Sequence, residues 1–141
     1  MATFRKRLAL RWADLDPNFH LRHSSYYDLA AQFRVELLDQ MGLTLQVMKE
    51  QHFGPVLFRE EAVFLKEIRY ADSIDITAML VSLSPDGAKW SVMHEFIDEK
   101  DVVRTRLTVD GAWIDTQLRK IANPTPQVAI DVFNALPKLV K

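Results

Sequence analysis

The sequence predicts an α+β domain in which an antiparallel sheet wraps around one long central helix, and three observations carry that prediction. Apolar and polar residues alternate with period two near the N-terminus, and again in several runs between about residues 55 and 113. Between these strand-like stretches lies a single segment, residues 24–41, whose apolar side chains recur at helical spacing. One amphipathic helix needs a sheet to cover it, and the strands need one face buried, so packing sheet on helix satisfies both.

In chain order, Phe4, Lys6, Leu8, Leu10 and Trp12 alternate with Arg5, Arg7, Ala9 and Arg11 as a first strand, which Asp16-Pro17-Asn18 breaks with turn-forming residues. Ser24 and Ser25 are good N-caps, and Ser25 with Asp28 has the spacing of a capping box. The helix that follows sets Tyr26, Ala30, Phe33, Leu37 and Met41 on one face, with Asp28, Gln32 and Asp39 roughly opposite. Gly42 ends it, and Thr44 caps a short second helix through Gln51.

A strand is expected over about 55–66, then one carrying Ile74, Ile76, Ala78 and Leu80 on one face. Pro85-Asp86-Gly87 turns the chain into a strand in which Trp90, Val92, His94 and Phe96 alternate with Ser91, Met93, Glu95 and Ile97. Asp98 to Asp101 is a charged turn, and Val103, Thr105, Leu107, Val109 and Trp113 form the last long strand. Thr125-Pro126 supplies an N-cap and a proline at the first helical position, Val128, Val132 and Leu136 make a helical stripe, and Pro137 stops it.

At 141 residues the chain is one domain, 1–141. A net charge of −1 argues against a nucleic-acid partner, and Arg5-Lys6-Arg7 reads as an exposed strand face. With no cysteine there is no disulfide scaffold, zinc–thiolate site or cysteine nucleophile. No apolar run reaches membrane-spanning length and the first residues lack a signal-like apolar stretch, so a cytoplasmic protein with no membrane span is expected. The strands between Ile68 and Trp113 are long enough to leave a face or edge for another subunit, and a homodimer or homotetramer is expected.

The chemistry concentrates in Trp12 to Arg34, where Asp14, Asp16, His20 and His23 precede Ser24, Ser25 and a helix start. A carboxylate can attack a carbonyl or take a proton from water, while free N–H groups at a helix N-terminus can stabilise an oxyanion. Asp16 therefore has two readings: a catalytic carboxylate, or an aspartate that caps the turn before Pro17. Asp14 reads as a loop residue receiving backbone hydrogen bonds, and His20 as either a site residue or a solvated one. Asp14-x-Asp16-x-Asn18 starts like a calcium loop, but Phe19 and Ser25 stand where that loop needs glycine and glutamate. His20-x-x-His23 lacks a third metal ligand nearby, so no metal is expected. His94, among Trp90, Val92 and Phe96, reads as a core histidine, and no Gly-x-Ser-x-Gly elbow exists.

Trp12, then Asp14-Leu15-Asp16, then Pro17 to Leu21 and Arg22-His23-Ser24-Ser25-Tyr26 resemble the loop and helix start of the hotdog-fold acyl-CoA thioesterases, in particular the 4-hydroxybenzoyl-CoA thioesterase family with its Tol-Pal-associated branch. Glu61 to Asp75 resembles that family's following strand and bend, and the family's helix arginine falls on Arg34. The resemblance implies a hotdog fold that hydrolyses an acyl-CoA to free acid and CoA with no dissociable cofactor. It puts the catalytic roles on Asp16 and His23; Ser24 and Tyr26, by their place at the helix start, and His20 and Phe19, in the loop, are the candidate substrate contacts. Arg59, Lys66, Arg69, Lys89, Arg104 and Arg106 are candidates to meet the CoA phosphates. A non-catalytic binder of acyl-CoA or acyl-carrier protein is the alternative. One departure stands out: where the family carries a loop glycine this chain has Phe19, so either the loop bends differently or the pocket is reshaped.

Overall fold

The computed structural model describes residues 4–139. In chain order it comprises β1 (Arg5–Arg7), α1 (His23–Gln40), α2 (Leu45–Glu50), β2 (Phe53–Phe64), β3 (Ile74–Thr77), β4 (Met79–Leu83), β5 (Lys89–Asp98), β6 (Val103–Asp115), β7 (Lys120–Ile121) and α3 (Gln127–Asn134). Every strand pair is antiparallel, in the order β1-β3-β5-β6-β2, with β4 also on β5 and β7 on β6. The sheet curls around α1, the α+β hotdog arrangement.

The predicted apolar face of α1 is the one that packs. Tyr26, Ala30, Phe33 and Leu37 are buried, Tyr26 setting its ring edge-on to Phe96 of β5 at 5.2 Å and Phe33 meeting His94 of the same strand at 5.9 Å. Behind the C-terminal half of α1, Phe133 packs edge-to-face on both Trp90 and Trp113, and Phe53 packs edge-to-face on Trp113. Gly111 makes this possible: a Cβ there would stand 2.5 Å from the Val56 carbonyl oxygen and 2.6 Å from the Trp90 ring.

Four local expectations are corrected. The first strand stops at Arg7, and Trp12–Asp14 forms a single 3-10 turn that leaves Trp12 exposed. The reason is local competition: the Asp14 carboxylate accepts from the Arg11 backbone N–H at 3.1 Å and from its guanidinium at 2.8 Å, folding the chain back on itself. Helix α1 begins at His23 with Arg22 as its N-cap, ahead of the predicted serine caps. The Leu21 and Arg22 N–H groups are already bound to Ile68 O and Asp14 O at 2.7 Å each, so the helix starts as soon as the chain leaves those partners. The Ser25 hydroxyl is buried with no partner, and the box with Asp28 does not form.

The strand expected through Ile74 to Leu80 divides at Ala78 into β3 and β4, both on β5. At that break the Thr77 carbonyl accepts from the His94 ring at 2.9 Å and the Thr77 hydroxyl accepts from Glu95 N at 3.2 Å, replacing ladder bonds. Helix α3 takes Pro126 as its N-cap, and the Thr125 hydroxyl is buried without a partner. The Thr44 cap is as predicted, accepting from Val47 N at 3.1 Å.

Candidate active site

The loop before α1 is a tight reversal. Leu15 and Leu21 bridge across it, Asp16 N donates to His20 O at 2.8 Å, and Phe19 N donates to Asp16 O at 3.0 Å. The Asp16 side chain closes it further, its Oδ1 accepting from Asn18 N at 2.8 Å and His20 N at 3.0 Å. Its Oδ2 makes no hydrogen bond or ion pair among the described residues. Phe19 sits at φ 64°, in the left-handed region that glycine favours, so the loop bends as a glycine would allow. Its ring points away from the turn, 57 % exposed, and rests on Trp12 at 5.7 Å.

Asp16, His20, His23 and Tyr26 line one open cleft of about 330 Å³. Leu21 and the end of β2 with the residues after it, Phe64, Leu65, Lys66 and Glu67, supply the rest of the wall. Ser24 and Phe19 do not line it: Ser24 Oγ accepts from Arg22 Nε at 2.9 Å, and Phe19 faces Trp12. Residues 64–67 lie far from Asp16 in the sequence, and no local pattern marks them as site residues.

His23 is the first residue of α1 and is exposed. The backbone N–H groups of His23 and Ser24 have no protein acceptor among the described residues, as expected for a first helical turn, and they carry the positive end of the helix dipole. Tyr26 is buried against Phe64 at 5.0 Å, and that burial pushes its phenol pKa up despite the opposing effects of Thr105 and Arg104, so it stays protonated. His20 is paired within the cleft wall, its Nε2 3.1 Å from Glu67, while Glu67 also holds Arg69 at 2.8 Å. The Arg69 hydrogen bond holds the Glu67 pKa below its ordinary range.

The other ionisable groups divide cleanly. Asp14 is buried on Arg11, whose hydrogen bond lowers its pKa, in the structural role expected of it. Of the six basic residues proposed for phosphate contact, only Lys66 lines the cleft. Arg59 pairs with Glu61, Arg69 with Glu67, Arg104 with Asp72 and Asp98, and Arg106 with Glu95, while Lys89 stays exposed. Among the described residues no group of three or more His, Asp or Glu side chains is placed to hold a metal ion, and no helix is long and apolar enough to cross a membrane.

His94 is a core residue, fully buried, as its neighbours in sequence indicate. Its Nδ1 lies 2.9 Å from the Thr77 carbonyl oxygen, which can only accept, so Nδ1 carries the proton. Its Nε2 then accepts from Arg34 Nη1 at 3.1 Å. Burial, with the adjacent Arg34 charge, lowers the His94 pKa to about 3, so the ring is neutral.

The curled antiparallel sheet around a central helix defines a hotdog protein. The profile of the thioesterase-like superfamily matches residues 10–132, and the chain belongs to that superfamily; its reaction class is thioester hydrolysis. By sequence, no curated relative matches. Among solved structures, a Staphylococcus aureus protein in complex with CoA superposes with a TM-score of 0.86 at 13 % identity, over 98 % of this chain and 88 % of its own. A 1,4-dihydroxy-2-naphthoyl-CoA thioesterase from Synechocystis gives 0.82 at 18 % identity, over 94 % and 96 % of the two chains. A gentisyl-coenzyme A thioesterase gives 0.77 at 16 % identity, over 92 % and 98 %. At these identities the likeness is one of fold. The Tol-Pal-associated branch in particular finds no support among these matches.

Proposed function

We propose that this chain is an acyl-CoA thioesterase whose substrate lies in the Asp16 cleft, and that Asp16 is its catalytic carboxylate. The observation that carries this reading is the division of labour within one side chain. Oδ1 is held by two backbone N–H groups, while Oδ2 is free in a cleft that also contains the open N-terminus of α1.

As a base, Asp16 takes a proton from water as the water oxygen adds to the thioester carbonyl carbon. As a nucleophile, Oδ2 adds to that carbon, CoA thiolate leaves, and water then hydrolyses the mixed anhydride. In both routes the charge that grows on the carbonyl oxygen is stabilised by the unpaired N–H groups of His23 and Ser24. The His23 imidazole orients the substrate or shares the proton transfers, and the Tyr26 phenol donates toward the substrate from the cleft wall. Of the remaining substrate candidates, His20 borders the cleft through its pair with Glu67, and Ser24 contributes its backbone rather than its hydroxyl. Phe19 shapes the loop. Lys66 is the cation available to a CoA phosphate. The proposed setting is the cytoplasm, where acyl-CoA is made and used.

Strand β2 ends the sheet, and along its outer edge Leu57, Phe58, Val63 and Phe64 are each at least 45 % exposed. The outer edge of β2 has no strand partner among the described residues, and its exposed apolar side chains at both ends, around the charged Arg59, Glu60 and Glu61, favour pairing with a second copy, so the working unit is a homodimer or a higher homo-oligomer. A thiol-release assay across aliphatic and aromatic acyl-CoA substrates, with Asp16→Asn as control, tests the activity. Tight binding of acyl-CoA without thiol release by the wild type would replace the enzyme with a carrier.

A further inference from the structure

We propose that the cavity between the C-terminal half of α1 and strands β2 and β6 binds a carboxylic acid with an apolar body, and that Arg34 is the receptor for its carboxylate. The cavity holds about 190 Å³ and is walled by Leu38, Leu43, Met48, Leu57 and Trp113, with Arg34 as its cation. A largely buried guanidinium presents five N–H donors and needs an anion to offset its lost hydration. Here no carboxylate lies within 4.0 Å of it among the described residues, and its one side-chain partner is the neutral His94. Asp39, at the cavity wall, is exposed and makes no ion pair with it, and Glu60 acts on it only through space.

His94 does not neutralise the charge but aims it. Because Nδ1 is tied to Thr77, the Nε2 lone pair is fixed in direction and holds one edge of the guanidinium by Nη1, leaving the remaining N–H groups for a ligand. An apolar wall with one unpaired cation fits a molecule of matching polarity, an aliphatic or aromatic body ending in a carboxylate. This site shares no lining residue with the Asp16 cleft, and Arg34 lies roughly 16 Å further along α1 than His23 by helix rise. The inference therefore stands apart from the proposed hydrolysis.

Calorimetric titration of the full chain with octanoate, octanol and octylamine tests it, because the three share a body and differ in head group. The expected result is saturable octanoate binding, with octanol about 10- to 100-fold weaker and octylamine weaker still. Arg34→Gln should abolish the preference for octanoate over octanol. Ala31→Phe, which fills the cavity wall and keeps the Arg34 charge, should weaken both, and Asp16→Asn should change neither. Equal affinity for octanoate and octanol, no binding of octanoate, or an undiminished preference in Arg34→Gln would each overturn the proposal. So would loss of self-association in Arg34→Gln without any octanoate binding, which would give the anion to a second copy of the chain. If Arg34→Gln fails to fold, the head-group preference of the wild type and the weaker binding of both octanoate and octanol by Ala31→Phe decide the matter.

Discussion

Asp16 Oδ1 accepts the backbone N–H of His20 at 3.0 Å, while Asp16 N donates to the His20 carbonyl at 2.8 Å. These paired bonds close a loop of five residues and require one residue within it to turn left-handed. That residue is Phe19, at φ 64°. The catalytic candidate and the strained residue are thus parts of one turn.

Phe19→Gly should stabilise the protein. A non-glycine residue in the left-handed region costs about 1 kcal/mol, and the exposed contact with Trp12 offsets only part of it. Thermal unfolding should show a Tm rise of roughly 2–4 °C. Phe19→Val, whose branched Cβ tolerates this conformation least, should lower Tm. A Tm drop in Phe19→Gly as large as that of Phe19→Val would mean that the ring, not the backbone, holds the loop.

Stability should fall with acidification through His94. Its folded-state pKa is about 3 against an ordinary 6.5, so between those values the unfolded chain binds a proton that the folded chain does not. Above pH 6.5 this group contributes no slope. Below it, stability declines by about 1.4 kcal/mol per pH unit until the folded ring also titrates. Asp14, held by Arg11, and Asp75, held by Arg7 and Arg5, have lowered pKa values and add losses only as pH falls below about 4. Urea unfolding between pH 7 and 5 should therefore show the slope in wild type, and His94→Gln should flatten it. An equal slope in the variant would assign it to another group.

Sedimentation should find the chain at least dimeric, and Phe58→Lys should weaken the association by tenfold or more. Phe58 lies on the terminal strand at a β-bulge, 60 % exposed, where a charge opposes edge pairing without entering the core. A wild-type monomer at micromolar concentration would remove the edge from the account.

How much of this was legible in the sequence follows from the range of the interactions. The helix face Tyr26–Ala30–Phe33–Leu37 and the alternation Trp90–Val92–His94–Phe96 are periodic and survive folding unchanged, because burial of those side chains is what the fold is for. The ends of elements were less legible. Ser25 and Thr125 have the chemistry of caps, but long-range bonds from Leu21 and Arg22 set the start of α1, and both hydroxyls finished buried. Asp16, His20, His23 and Tyr26 could be grouped because eleven consecutive positions contain them. Phe64 and Glu67 could not, since only long-range contacts such as the His20–Arg69 bridge and the Leu21 N–H to Ile68 O bond bring that segment to the loop. Arg34 was legible only as the family's helix arginine; its hydrogen bond to His94 and its lack of a carboxylate partner among the described residues are properties of the assembled core.

The most direct test of the central claim is the turnover of Asp16→Asn on whichever acyl-CoA the wild type hydrolyses best. The asparagine Oδ1 can still accept from Asn18 N and His20 N, so the loop should keep its shape and the variant should melt close to wild type. The account predicts that kcat falls by about 10²- to 10⁴-fold with the fold retained, because the amide can neither attack a thioester nor take a proton from water. A folded Asp16→Asn protein that releases CoA at the wild-type rate would contradict it.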